Sequence, residues 1–185
     1  MLNELSKQVK DSIEAVIGGA SDIVASARDA AKNTVVDTVH GAGEVATNAL
    51  SVVADVVSGG SAAASQSAKS TTDGVAGVVE GAIDAAKEVG ADVGGAIKES
   101  AKGAIAGVSD VGGDLGEAAV GAVRGSIAAA STVGVDATEA VTDSVVGVIH
   151  AADTIGTEAG GVVRKALLSS ASLPREMIEA AIGKV

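Results

Sequence analysis

The sequence predicts an all-α protein: long helices built on an eleven-residue (hendecad) repeat, packed side by side in a bundle, a right-handed coiled coil or a filament. Three observations predict it. Apolar residues recur with a period of eleven, and they do not alternate with the period of two that a strand needs. Hydrophobic residues make up 47% of the chain, yet there is no Phe, Tyr or Trp and there are only two Met. The apolar surface is therefore mostly Ala and Val, which suits close helix-to-helix contact better than a thick core. The one proline is Pro174, so the strongest helix breaker is absent from everything before it.

Set in rows of eleven from Val9, the chain runs without a gap through fifteen rows to Leu173. The first column is Ala, Val or Ile in every row, and the last is Gly, Ala, Val or Leu. The third is acidic in eight rows: Asp11, Asp22, Glu44, Asp55, Glu88, Glu99, Asp110 and Asp143. Eleven residues make three turns at about 3.67 per turn, so a column stays on one face of a helix. Columns one, four, five, eight, nine and eleven adjoin one another and are apolar or small, with Arg28 their one charge. The opposite arc holds nearly all the other charges. The apolar face covers about half the circumference, wider than a two-stranded seam.

In chain order, residues 1–57 read as an N-terminal repeat helix. Residues 58–74, "SGGSAAASQSAKSTTDG", have no large apolar side chain. They form a candidate hinge or a soft stretch of one continuous rod, with Asp73 a candidate N-cap for the helix that follows. Residues 75–171 read as a C-terminal repeat helix in which alternate rows match, a super-repeat of 22. Column nine runs Ile83, Gly94, Ile105, Gly116, Ile127, Thr138, Ile149, Gly160; column five runs Val79, Gly90, Ala101, Gly112, Val123, Gly134, Val145, Gly156. Column seven alternates the other way: Gly81, Asp92, Gly103, Asp114, Gly125, Asp136, Gly147, Glu158. Val79, Ile83, Ile105, Val123, Ile127, Val145 and Ile149 are the predicted packing knobs. Gly90, Gly94, Gly112, Gly116, Gly134, Gly156 and Gly160 are the predicted notches. Glycine costs a helix about 1 kcal/mol relative to alanine, and close approach of a neighbouring helix at a notch offsets that cost. Parallel copies shifted by one row would seat each Ile in a notch and grow open-ended, whereas antiparallel copies could close. Residues 172–185, "SLPREMIEAAIGKV", read as a short terminal helix. Pro174 suits its first turn, Ser170 or Ser172 is its candidate cap, and Met177, Ile178, Ala181, Ile182 and Val185 are its apolar stripe.

A net charge of −11 and a pI of about 4.5 argue against nucleic-acid binding, as does the lack of any aromatic platform for bases. There is no cysteine for a disulfide or a thiolate metal site. The first residues lack the pattern of a signal peptide, and no run is long and apolar enough to span a bilayer, so the expected compartment is the cytoplasm. His40 and His150 share a column ten rows apart, each without a second ligand nearby. Acidic residues lack a partner acid or base in a recognisable cleft, and serines lack a His/Asp constellation. "VGGDLGEAAVG" lacks the lysine and preceding strand of a phosphate loop. The expectation is no catalysis, no cofactor, no metal and no small-molecule substrate.

The rows "VAGVVEGAIDAAKEVGADVGGAIKESAKGAIAG" resemble the repeat regions of perilipin-type lipid-droplet coat proteins, of late embryogenesis abundant proteins and, more loosely, of phasins. That resemblance implies an amphipathic helix that meets an apolar surface. The residues themselves lead first to a non-enzymatic structural protein that self-assembles through its small-residue face into a bundle, stalk or filament. The alternative is a coat protein on lipid or another apolar surface. A third reading is a scaffold subunit that tethers an enzyme complex through residues 174–185.

Overall fold

Twenty-two residues make one helix and one turn. The computed structural model describes residues 3–19, 22–41, 48–67 and 70–185. Glu44 of the acidic column, and Ala68 and Lys69 of the candidate hinge, lie outside the described residues. Those described form nine helices and no strand: α1 (Glu4–Gly19), α2 (Ile23–Gly41), α3 (Ala49–Gln66), α4 (Thr71–Glu88), α5 (Val93–Asp110), α6 (Leu115–Val133), α7 (Ala137–Ile155), α8 (Thr157–Ser169) and α9 (Arg175–Ile182). None exceeds 19 residues, so the expectation of continuous helices over 1–57 and 75–171 is corrected. Residues 58–66, expected as hinge or soft rod, are the C-terminal half of α3, and α4 starts inside the same stretch. Each short turn between α4 and α7 fits within the count of 22.

The turns show why the chain folds back. Gly90, Gly112 and Gly134 have φ of +74°, +70° and +79°, the left-handed conformation that ends a helix and that glycine adopts without a Cβ clash. The next residue's N–H then reaches back to close the end: Ala91 to the Ala86 carbonyl at 2.8 Å, Gly113 to Val108 at 2.9 Å, and Val135 to Ala130 at 3.1 Å. Two positions after each glycine an aspartate opens the next helix. Asp92 accepts from the Gly95 N–H at 2.8 Å, Asp114 from Gly116 and Glu117 at 2.8 and 3.0 Å, and Asp136 from Thr138 and Glu139 at 2.8 and 3.3 Å. Each bond satisfies a helix-end donor. The α4 cap is Ser70, whose Oγ accepts from the Asp73 N–H at 3.2 Å; Asp73 is not the cap, and its carboxylate takes Arg124 at 2.8 Å. Asn48, Ser70, Asp92, Asp114 and Asp136 thus precede successive helices at intervals of 22, and the super-repeat starts well before Val75.

The helices alternate between two layers. One holds α1, α3, α5, α7 and α9 side by side, and the other α2, α4, α6 and α8. Neighbours within a layer run parallel: Gly103 lies against Ala54 and Gly107 against Ser58, with numbers rising together. Ile13, Ile17, Ile83, Ile97, Ile105, Ile149, Leu167 and Ile178 are the largest fully buried side chains. Such a core works by bringing backbones close, since dispersion grows with contact density. Ion pairs staple neighbours at the surface: Arg28–Glu80 (3.2 Å) and Lys32–Glu88 (2.9 Å) between α2 and α4, and Lys98–Asp143 (3.2 Å) between α5 and α7. At their exposure each contributes less than about 1 kcal/mol. The α9 helix follows Pro174 without a side-chain cap; the Ser170 and Ser172 hydroxyls bond each other at 2.9 Å instead. No helix among the described residues is long and apolar enough to cross a membrane.

Candidate functional site

The predicted knobs lie in the core of the chain itself. Val79, Ile83, Ile105, Val123, Val145 and Ile149 are fully buried, and Ile127 is half-buried against them. The predicted notches have other duties. Gly90, Gly112 and Gly134 end helices, and a Cβ added to any of them, or to Gly156, would meet nothing within 4 Å. Gly94 has the Asp143 carboxylate as its nearest neighbour, at 3.6 Å. Gly160 makes room for the Asp153 carboxylate and the Arg164 guanidinium. Gly116 alone of the seven receives a packed helix, with Ala166 of α8 at 2.9 Å from the position of a Cβ.

The close approaches fall on other glycines. A Cβ at Gly103 would stand 2.7 Å from the Ala54 carbonyl oxygen, at Gly121 2.6 Å from that of Thr72, and at Gly147 2.9 Å from that of Lys98. Gly107 meets Ser58 and Gly125 meets Ala76 in the same way, and each of these five pairs is separated by 49 residues. Gly59 opposes Ser6, Gly77 opposes Val24, and Gly81 opposes Arg28. The glycines of column seven (Gly81, Gly103, Gly125, Gly147) are therefore crossing points between neighbours in a layer, while the aspartates alternating with them are helix caps.

Three described junctions depart from the glycine-and-aspartate turn: α3 ends at the extended Ser67 and α4 is capped by Ser70, α9 follows Pro174 without a side-chain cap, and the α7–α8 junction is the shortest. Between α7 and α8 the turn shrinks to a single residue, Gly156, which ends one helix and opens the next. Glu158 stands where Asp92, Asp114 and Asp136 cap the earlier helices, and α8 has no side-chain cap. Ile155 is 49% exposed, whereas Val133, its equivalent one repeat earlier, is 8% exposed. Three clefts meet at Ile155. The first, about 600 Å³, lies between the start of α6 and the elbow and includes Asp114, Leu115, Glu158, Ala159 and Val162. The second, about 390 Å³, runs between α5 and α7 past Lys102, Ala106, His150 and Ala151. The third, about 270 Å³, opens toward α1 and α3 and includes Asn3, Asp55, Ala106 and Asp110.

Charge is arranged differently along the chain. Arg164 clamps Asp153 across the elbow with two hydrogen bonds, 2.8 and 2.7 Å, which hold the Asp153 carboxyl below the usual aspartate range and raise the Arg164 guanidinium. At the seam of α2 and α4 the hydrogen bond to Glu80 raises Arg28. Burial pushes Asp84 up against the opposing pull of Arg28, Lys32 and Lys87, and its Oδ1 has no hydrogen-bond partner. Among the described residues no three His, Cys, Asp or Glu side chains gather where they could hold a metal ion. His40 on α2 and His150 on α7 are both exposed and stand on different layers.

No protein-family model matches the chain, and no curated protein matches it.

Proposed function

We propose that this protein is a non-enzymatic helical scaffold of the cytoplasm, folded as a self-contained structural unit. The observation that carries the reading is the periodic meeting of glycine with a neighbouring helix backbone inside one chain, at Gly81, Gly103, Gly125 and Gly147. The residues that repeat at intervals of 22 serve to pack, end and cap helices, which is what a structural role demands of a sequence. Self-assembly into a bundle, stalk or filament is the expectation because an apolar face of half a helix has to meet another helix. Here α4 lies between α2 and α6, and α5 between α3 and α7, so those faces meet helices of the same chain. The first and last helices carry exposed charges, Lys7, Asp11 and Glu14 on α1 and Arg175, Glu176 and Glu179 on α9, with Val16 the one large apolar residue exposed on the described part of α1. Charged end helices disfavour growth of a stack of repeats.

Gel filtration with light scattering tests this, with and without a lipid emulsion. The expected result is a helical particle of one fixed mass that lipid leaves unchanged. Growth with concentration into long assemblies would restore the filament. A chain that is disordered alone and becomes helical only on lipid would establish the coat.

A further inference from the structure

We infer that the surface around Ile155 is a docking site for a cationic amphipathic helix of a partner protein. The inference deepens the scaffold reading by naming what the scaffold holds. An apolar floor runs across the three clefts through Ala106, Ala151, Ile155, Leu115, Ala159 and Val162. Ile155 and Val162 are among the few large apolar residues exposed on the described surface, at 49% and 47%. The equivalent positions of the earlier repeats are more covered, with Val133 buried and Val111 and Val89 half-buried. Exposure therefore arises where the sequence abandons its own turn, with one linking residue and Glu158 in place of a capping aspartate. A departure from an otherwise regular local pattern is where function is to be sought.

The occupant follows from charge and shape. The carboxylates of Asp55, Asp114 and Glu158 line the floor, and Lys102 is the ammonium among the described residues that line it. Asp55 accepts from Asn3 Nδ2 at 2.7 Å and Asp114 caps α6, but neither hydrogen bond removes the negative charge. Lys102 is already held by Glu99 at 2.6 Å. A second copy of the chain would bring its own net charge of −11 to this rim and be repelled. A partner with an apolar stripe flanked by Lys or Arg is attracted by the rim and covers the floor. The groove between the parallel helices α5 and α7 takes a helix laid along it, and no strand edge is present among the described residues for an extended peptide to join.

The test uses the full chain and three labelled 18-residue peptides. One carries Leu at helical spacing with Lys elsewhere, the second has the same composition scrambled, and the third has Glu for Lys. Fluorescence anisotropy at physiological salt is expected to detect the Lys amphipathic peptide, with the scrambled and acidic peptides at least about tenfold weaker. Ile155→Ser changes no charge and removes an exposed side chain, so the fold is retained; it is expected to weaken binding about tenfold, roughly 1.4 kcal/mol. Glu158→Lys is expected to do the same with a shallower salt dependence. Equal affinity for the scrambled peptide, or an unchanged affinity in Ile155→Ser, would reduce the interaction to attraction by net charge and overturn the site. Light scattering of the peptide-free protein separates the two readings. A fixed-mass particle that does not bind refutes the docking site alone, and a concentration-dependent polymer refutes the scaffold. A discrete dimer abolished by Ile155→Ser would assign the surface to a second copy instead.

Discussion

The turns joining α4 to α5, α5 to α6 and α6 to α7 share one construction, and the junction of α7 with α8 breaks it. The regular turns take three or four residues, a left-handed glycine and, two positions on, a capping aspartate. The α7–α8 junction takes one residue and leaves α8 without a side-chain cap. At the regular turns the equivalent valines are half-buried at Val89 and Val111 and buried at Val133, while the elbow exposes Ile155. The two constructions obey the same physics. Where the repeat holds, each polar helix end is satisfied locally and each apolar face is covered by the next unit. Where it lapses, an ion pair between Asp153 and Arg164 does the joining, and apolar surface is left exposed.

The largest expected effect separates the crossing glycines from those of α8. In Gly103→Ala with Gly107→Ala, the new Cβ atoms would meet the Ala54 and Ser58 backbone carbonyls, which cannot turn aside as a side chain can. Overpacking costs typically 1–3 kcal/mol per site and outweighs a propensity gain of about 1 kcal/mol, so a net loss of about 3 kcal/mol is expected in urea unfolding. Gly161→Ala, on α8 with nothing within 4 Å of a Cβ, should instead gain roughly 0.5 kcal/mol. Equal signs for the two substitutions would remove the distinction between crossing and open glycines.

The turns supply the next contrast. At Gly112→Ala an L side chain is forced to a φ near +70°, at a cost of about 1–2 kcal/mol. Asp114→Ala removes the acceptor for two backbone N–H groups and should cost about 1 kcal/mol. Glu158→Ala occupies the matching position of the irregular junction, where no side chain caps α8, and should change stability by less than about 0.5 kcal/mol. Thermal unfolding of the single variants checks the order. An Asp114→Ala as neutral as Glu158→Ala would mean that the caps do not set the turns.

These contrasts mark how far the sequence could be read. The helical class and the small apolar side chains of the core were legible, and so was the spacing of 22. The length of the helices was not, because a turn that fits within a multiple of eleven leaves every column in phase. Two arrangements, one continuous helix and a series of hairpins, therefore share one periodic pattern. The distinguishing signal lay in pairs: Gly90 with Asp92, Gly112 with Asp114 and Gly134 with Asp136 join a helix stop to a helix start two positions later. Read as halves of a notch with Gly94 and Gly116, the same glycines pointed to intermolecular packing. Column seven carried the crossing glycines in plain view, but which neighbour they meet depends on the layers, and no periodicity encodes contacts 49 residues away. The exposure of Ile155 was hidden for a related reason: it follows from the shortened turn after it and not from its own residue type.

The smallest expected effect is electrostatic, and it should have opposite signs at the seam of α2 with α4 and at the elbow. Asp84 has its folded pKa raised by burial, so the ionised form is penalised at neutral pH. As pH falls, the folded chain takes up this proton before the unfolded chain does. Stability from Asp84 therefore rises as pH falls through the raised value toward the ordinary aspartate range. Asp153 has its folded pKa lowered by the Arg164 hydrogen bonds, so its contribution is present above the ordinary aspartate range and is lost as pH falls through the lowered value. Urea midpoints of Asp84→Asn and Asp153→Asn, each compared with the parent at pH 7 and near pH 4, read the two sites separately. Asp84→Asn is expected to lie at or above the parent at pH 7 and to lose its advantage at the lower pH. Asp153→Asn is expected to lie below the parent at pH 7 and to keep most of that deficit near pH 4, because the folded parent's carboxyl protonates only below the ordinary aspartate range. A deficit for Asp84→Asn at pH 7 would show that its carboxylate is held by Arg28 and Lys32 more strongly than burial opposes it. The seam and the elbow would then be joined by the same kind of ion pair.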